Sequence, residues 1–188
     1  MSSWAAYSGS LIAITSANVT INNPTAGSYY FGSALAMTTS YIAIGCWNTA
    51  VGGYGNAGAV YLYDTSGTLK YKITNPNMYG SASGDYFGYS VAISGNTLVV
   101  GAAYEGNSTQ STDGAVYVFN IASFPTYTSS TINITSSNYT SYGFAVAVPD
   151  PILYTMSNMG YSVATNGTYA VAGAIGSKGS TQPGQAAK

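Results

Sequence analysis

Residues 86–104 read YFGYSVAISGNTLVVGAAY, and their pattern decides the fold. An aromatic–Gly pair opens the stretch and an alternating run follows. The polar turn Ser94-Gly95-Asn96 comes next, then an apolar run that ends in Gly101-Ala102-Ala103. Gly and Asn tolerate positive φ, so the turn has hairpin chemistry and the two flanking runs read as paired strands. The pattern returns at 30–47, YFGSALAMTTSYIAIGCW, and at 159–175, MGYSVATNGTYAVAGAI. Two units continue alike, with GAVYLY at 58–63 and GAVYVF at 114–119. A further strand is predicted after each, over 68–74 and 130–135. That makes four short strands per unit, and the first strands are 56 residues apart, from Phe31 to Phe87. Self-similarity at a fixed period of this size marks a repeat architecture.

The units resemble FG-GAP repeats, the blades of integrin-α-type β-propellers. The FG pair is Phe31-Gly32 and Phe87-Gly88, relaxed to Met159-Gly160. The GAP element is Gly101-Ala102-Ala103, Gly173-Ala174-Ile175 and Gly45-Cys46-Trp47. The resemblance implies an all-β fold: a β-propeller-like array of four-stranded antiparallel blades. Physics points the same way, because a single blade cannot bury both of its faces and must stack on others. One feature departs from the family. Members often bind calcium through a D-x-D/N-x-D-G loop, whereas the turn at Ser94-Gly95-Asn96 and its equivalents hold no carboxylate. Calcium wants six to eight oxygens. The acids Asp64, Asp85, Glu105, Asp113 and Asp150 are scattered singly and read as turn formers, so no metal or cofactor is expected.

The ends complement each other. Residues 9–24, GSLIAITSANVTINNP, align with 58–76 and read as strands three and four of a blade. Residues 30–82 and 86–140 read as full blades. Residues 159–176 read as strands one and two, followed by a tail over 177–188. The array is thus two blades with split half-blades at the two termini. An open half-blade exposes a strand edge, which is a template for pairing. Head-to-tail completion between copies is the simple solution, closing into a ring or running on as a filament. Its expected joint is Leu11, Ile12 and Ile14 from one end and Val163, Tyr169 and Val171 from the other. Residues 142–157, YGFAVAVPDPILYTMS, read as an inserted hairpin or a degenerate half-blade interrupted by Pro149 and Pro151. A half-blade there makes intrachain closure of a small ring the alternative.

Composition narrows the function. Charged residues are 5% of the chain, against about 25% in an ordinary globular protein. A net charge of -1 lacks the basic patch that nucleic acid requires. The chain has no His and no Arg, and no nucleophile–base pair, paired carboxylates or phosphate loop appears, so an enzyme is not expected. No apolar run approaches the ~18 residues of a membrane span. The start, MSSWAAYSGSLIAITS, lacks a basic n-region and does not read as a signal peptide. Cys46, the lone cysteine, reads as buried and inert.

Five N-x-S/T sequons fall at Asn18, Asn107, Asn133, Asn138 and Asn166. Asn107 and Asn138 lie in predicted loops and lead as glycan sites, while Asn166 sits where a tight turn wants Asn anyway. Tyr29, Tyr30, Tyr54, Tyr79, Tyr86, Tyr104, Tyr127, Tyr139 and Tyr142 fall at strand ends or in loops. They read as packing between blades, with a sugar-stacking surface as the alternative. Trp4 and Trp47 read as core or joint anchors. The expectation is therefore a structural, self-assembling subunit of an extracellular fibre, surface appendage or virus particle, with copies of itself as partner. The alternative is an adhesion module that binds a receptor or surface glycans through its loops.

Overall fold

The computed structural model describes residues 20–27, 30–76, 83–106, 113–134 and 158–175, with the backbone of 145–147 and 185–187. It is all-β apart from one 3-10 turn at Ile121–Ser123. Three sheets follow one another along the chain. The first holds β1 (Ala34–Met37), β2 (Tyr41–Cys46), β3 (Ala59–Asp64) and β4 (Leu69–Thr74) as an antiparallel meander. The second holds β5 (Phe87–Ser94), β6 (Thr97–Ala102) and β7 (Ala115–Asn120) in the same way. Strand β8 (Ile132–Ile134) joins the first sheet, and β9 (Ala145–Ala147) joins the second. The third sheet holds β10 (Ser162–Thr165), β11 (Ala170–Ala174) and β12 (Gln185–Ala187).

Two strands lie elsewhere than the sequence pattern suggests. The run 130–135 was expected to close the second unit, but β8 pairs in parallel with β4 of the first sheet. The segment after β7 is drawn there by its apolar side chains. Phe124 packs edge-on against Tyr71 at 5.1 Å, the Tyr71 hydroxyl donates to the Pro125 carbonyl at 2.9 Å, and Ile134 is fully buried. The vacated place beside β7 is filled by β9, from the stretch read as an inserted hairpin or half-blade. The second difference is β12. It falls inside the expected tail, yet its three residues pair with Ala172, Gly173 and Ala174.

The sheets stack face to face, and alternation along each strand divides its residues between two neighbours. In β3, Val60 and Leu62 face the second sheet while Ala59, Tyr61 and Tyr63 face the opposite way. In β7, Ala115, Tyr117 and Phe119 meet the first sheet, and Val116 and Val118 meet the third. That is why GAVYLY and GAVYVF are apolar at nearly every position: both faces are covered. Phe87 packs edge-on to Tyr117 at 5.4 Å, and Phe31 does the same to Tyr61 at 5.6 Å. The aromatic of the FG pair thus covers the third strand of its own sheet in both units.

Candidate functional site

The sheets are joined by glycines. Gly32, Gly88 and Gly160 have φ of 89°, 86° and 85°, a region that side-chain-bearing residues rarely enter. This turn aims the FG backbone of one sheet into the glycines of the sheet before it. The Gly88 carbonyl oxygen lies 2.2 Å from where a Cβ on Gly45 would stand, and the Gly160 oxygen lies 2.0 Å from a Cβ on Gly101. On the other side, Gly58 bridges Phe87 and Gly114 bridges Met159 in parallel fashion. The Phe87 amide donates to the Ala57 carbonyl at 3.0 Å, and the Met159 amide to the Asp113 carbonyl at 2.9 Å. The Ser90 hydroxyl adds a 2.6 Å bond to the Gly160 carbonyl. The FG and GAP elements are therefore the two halves of one joint, which the described residues make twice.

Among the described residues, two glycines of this pattern stand without the other half of the joint. Gly173 holds the position of Gly45 and Gly101, yet a Cβ there meets only its own sheet, the Ser162 Oγ at 2.5 Å. Gly32 holds the position of Gly88 and Gly160, and a Cβ there has nothing within 4 Å. The surfaces around them are open. On the third sheet Tyr169, Val171 and Ile175 are 54%, 40% and 53% exposed. Val99, the counterpart of Val171 in the second sheet, is fully buried. On the first sheet Leu35 and Met37 are 65% and 68% exposed. Their counterparts Val91 and Ile93 belong to the core between the first two sheets. The rest of that first face is covered: Tyr61, Tyr63, Ile44 and Cys46 are buried with Ile21 and Phe31 against them, and Thr25 and Tyr61 share a 2.6 Å hydroxyl bond.

Of the expected joint residues, Tyr169 and Val171 stand on the open face, but Val163 does not. It points inward and packs with Val99 and Val116, because β10 residues alternate and Val163 falls on the side of the second sheet. Leu11, Ile12 and Ile14 lie outside the described residues, as do Asn18, Asn107 and Asn138. Asn133 is exposed on β8. Asn166 builds a turn, its Oδ1 accepting from the amides of Thr168 at 3.0 Å and Tyr169 at 2.9 Å.

A row of aromatic rings runs across all three sheets. Tyr30 meets Trp47 at 4.1 Å, Trp47 meets Tyr86 at 4.6 Å, Tyr86 meets Tyr104 at 4.8 Å, and Tyr89 meets Tyr161 at 5.0 Å. The Tyr89–Tyr161 hydrogen bond, with burial second, raises the Tyr89 pKa. Trp47, Tyr89 and Tyr161 were not singled out as members of this row. The available signal was their place beside GAP or FG, which puts them at equivalent strand ends in successive units. The row crosses between sheets at Trp47–Tyr86 and Tyr89–Tyr161; of the tyrosines read as packing between blades, Tyr86 makes such a contact, while Tyr30 and Tyr104 meet rings of their own sheet.

The acids divide. Asp64 is a turn former: it accepts from the Ser66 and Thr68 amides at 3.0 and 2.9 Å and pairs with Lys70 at 3.0 Å. The Ser66 hydroxyl, then the Thr68 amide and Lys70, hold its pKa well below the usual carboxylate range. Asp85, Glu105 and Asp113, also expected as turn formers, are buried, Asp85 ahead of β5 and Glu105 and Asp113 between β6 and β7. The Tyr117 hydroxyl donates to Glu105, and the Asn75 amide donates to Asp85 at 2.8 Å. Burial pushes Asp85 from 3.8 up to about 6, against the pull of the Asn75 amide and the Gly106 backbone N–H. The fold thus favours the protonated acid. This contribution to stability is complete below about pH 4 and is lost as pH rises through about 6. Denaturant melts between those pH values are expected to show wild type losing stability and Asp85→Asn losing less. Equal losses in the two proteins count against this role for Asp85.

Among the described residues no group of three His, Cys, Asp or Glu is placed to share a metal ion. No described helix is long and apolar enough to cross a membrane. Residues 79–119 match the FG-GAP repeat family, whose repeats occur in adhesion-type β-propeller modules. The match spans β5, β6 and β7, and so holds the FG half of one joint, at Gly88, and the GAP half of the other, at Gly101. No curated protein matches the chain.

Proposed function

We propose that the protein is a non-catalytic, extracellular structural module that assembles with copies of itself, end to end, by completing a split blade. The observation that carries this reading is the pair of open half-joints. The first sheet offers Gly32 with exposed Leu35 and Met37, and the third offers Gly173 with exposed Tyr169 and Val171. Each half has its complement inside the same chain. The two faces differ, so the contact is heterologous and gives a ring or a filament according to the rotation per copy. A chain with only 5% charged residues puts little electrostatic repulsion in the way of association.

Negative-stain electron microscopy and sedimentation of the purified protein test the reading. Rings or fibres are expected, and they are expected to disappear on removal of residues 1–24, which include the segment 9–24 read as the complementary half-blade. Monomers at all concentrations count against it. A second reading, adhesion to neutral glycans, is favoured by the aromatic row, since Tyr30 and Tyr161 are exposed at its ends. A glycan array distinguishes it: binding by a monomer, lost on Tyr30→Ala, selects adhesion.

A further inference from the structure

We infer that the surface around Gly173 on the third sheet is the docking site for a second copy of this chain, whose Gly32 carbonyl seats on Gly173 and takes the Ser162 hydroxyl. The inference rests on the self-association proposed above and specifies its contact atoms. Its ground is the internal joint between the second and third sheets. There Gly101 leaves room for the Gly160 carbonyl, and Ser90, paired with Gly101 in the ladder, donates to that same oxygen at 2.6 Å. In the third sheet Ser162 is paired with Gly173 in the same register. Both the space and the donor of the internal joint are therefore present again, and Ser162 is exposed. The incoming half is also matched. Gly32 shares the positive φ of Gly160, and Leu35 stands where Val91 stands in the sheet that docks on the first.

The joint has a resident occupant at its edge. Strand β3 pairs with all six residues of β2, and β7 with all six of β6, but β12 pairs with only three residues of β11. A strand from a second copy pairs with the whole of that edge only when β12 leaves it. The chain's own C-terminal strand is thus a short placeholder that competes with assembly.

Sedimentation velocity on the full chain and its variants tests this. Wild type is expected to associate. Gly173→Ala puts a methyl where the carbonyl must sit and is expected to stay monomeric, with the melting temperature of wild type at concentrations where wild type is monomeric. Ser162→Ala is expected to weaken association about 5-fold, the loss of one neutral hydrogen bond. Removal of 185–188 is expected to strengthen it. Leu35→Asp tests the opposite face independently and is also expected to be monomeric. If Gly173→Ala or Leu35→Asp associates as wild type does, the joint runs elsewhere and the inference is overturned while self-association stands. If wild type and the truncated chain are both monomeric, self-association itself fails and the inference falls with it.

Discussion

Gly101→Ala is expected to unfold the protein, while Gly173→Ala, the same change at the same place in the repeat, is expected to be nearly silent in stability. Neither glycine has a positive φ, so backbone conformation does not separate them. Their surroundings do. A Cβ on Gly101 stands 2.0 Å from the Gly160 carbonyl oxygen and 2.8 Å from its carbon, atoms fixed in the backbone of the next sheet. Relief requires the second and third sheets to part, which opens the core of Val99, Val116, Met159, Ala172 and Ala174. A loss above ~4 kcal/mol is the scale for such overpacking with core disruption. At Gly173 the nearest atom is the tip of the Ser162 side chain, which can rotate away, and a change within ~1 kcal/mol is expected. Denaturant unfolding of the two variants, under conditions where wild type is monomeric, makes the comparison. Equal destabilisation contradicts the joint.

Phe87→Ala carries the second large effect. The ring is fully buried, edge-on to Tyr117 at 5.4 Å and to Phe119 at 6.3 Å, in the core between the first and second sheets. Truncation leaves a cavity that cannot collapse without moving both sheets, and about 3–5 kcal/mol is the usual cost. For a chain of this size that lowers the melting temperature by on the order of 10 °C. Phe31→Ala is the control. It removes the equivalent ring from a face only partly covered, so a smaller loss is expected, read by the same thermal melt. If the two losses are alike, the face at Phe31 is as well covered as the inner core, and the open half-joint at that end is in doubt.

Much of this fold was legible because alternation, turn chemistry and repetition agree. The hairpin of β5 and β6 follows from Ser94-Gly95-Asn96, and Gly95 does have a positive φ of 55°. GAVYLY and GAVYVF form β3 and β7 as expected, and the packing of both their faces accounts for their continuous apolar runs. The outer strands were harder to place. Residues Ile132–Ile134 form a strand as expected, but which sheet receives it depends on Phe124 finding Tyr71, a contact 53 positions apart that no local pattern encodes. Strand β12 was missed because Gln185-Ala186-Ala187 has neither β-branched residues nor alternation, and its pairing comes from the edge that β11 offers.

The candidate site was legible in outline and not in mechanism. The expectation of complementary ends came from counting the repeat. That FG and GAP are two halves of one glycine joint could not come from it, because the contact joins Gly45 to Gly88 and Gly101 to Gly160 across separate sheets. Tyr169 and Val171, expected at the joint, share the exposed face of β11 because the strand alternates. Val163 was misplaced by one face, since the period of two assigns sides only once the neighbour on one side is known. The buried acids were misread because a carboxylate beside Gly looks like a turn whether or not a neighbouring sheet covers it.

The most direct test of head-to-tail assembly mixes two proteins, each blocked at one end. Gly173→Ala keeps the Gly32 face intact, and Leu35→Asp keeps the Gly173 face intact. Each alone is expected to sediment as a monomer. Mixed in equal amounts, they are expected to form a one-to-one dimer and nothing longer, because the only compatible pair of faces is used once. Association of either variant by itself, or a mixture that stays monomeric while wild type assembles, contradicts a joint made from these two faces.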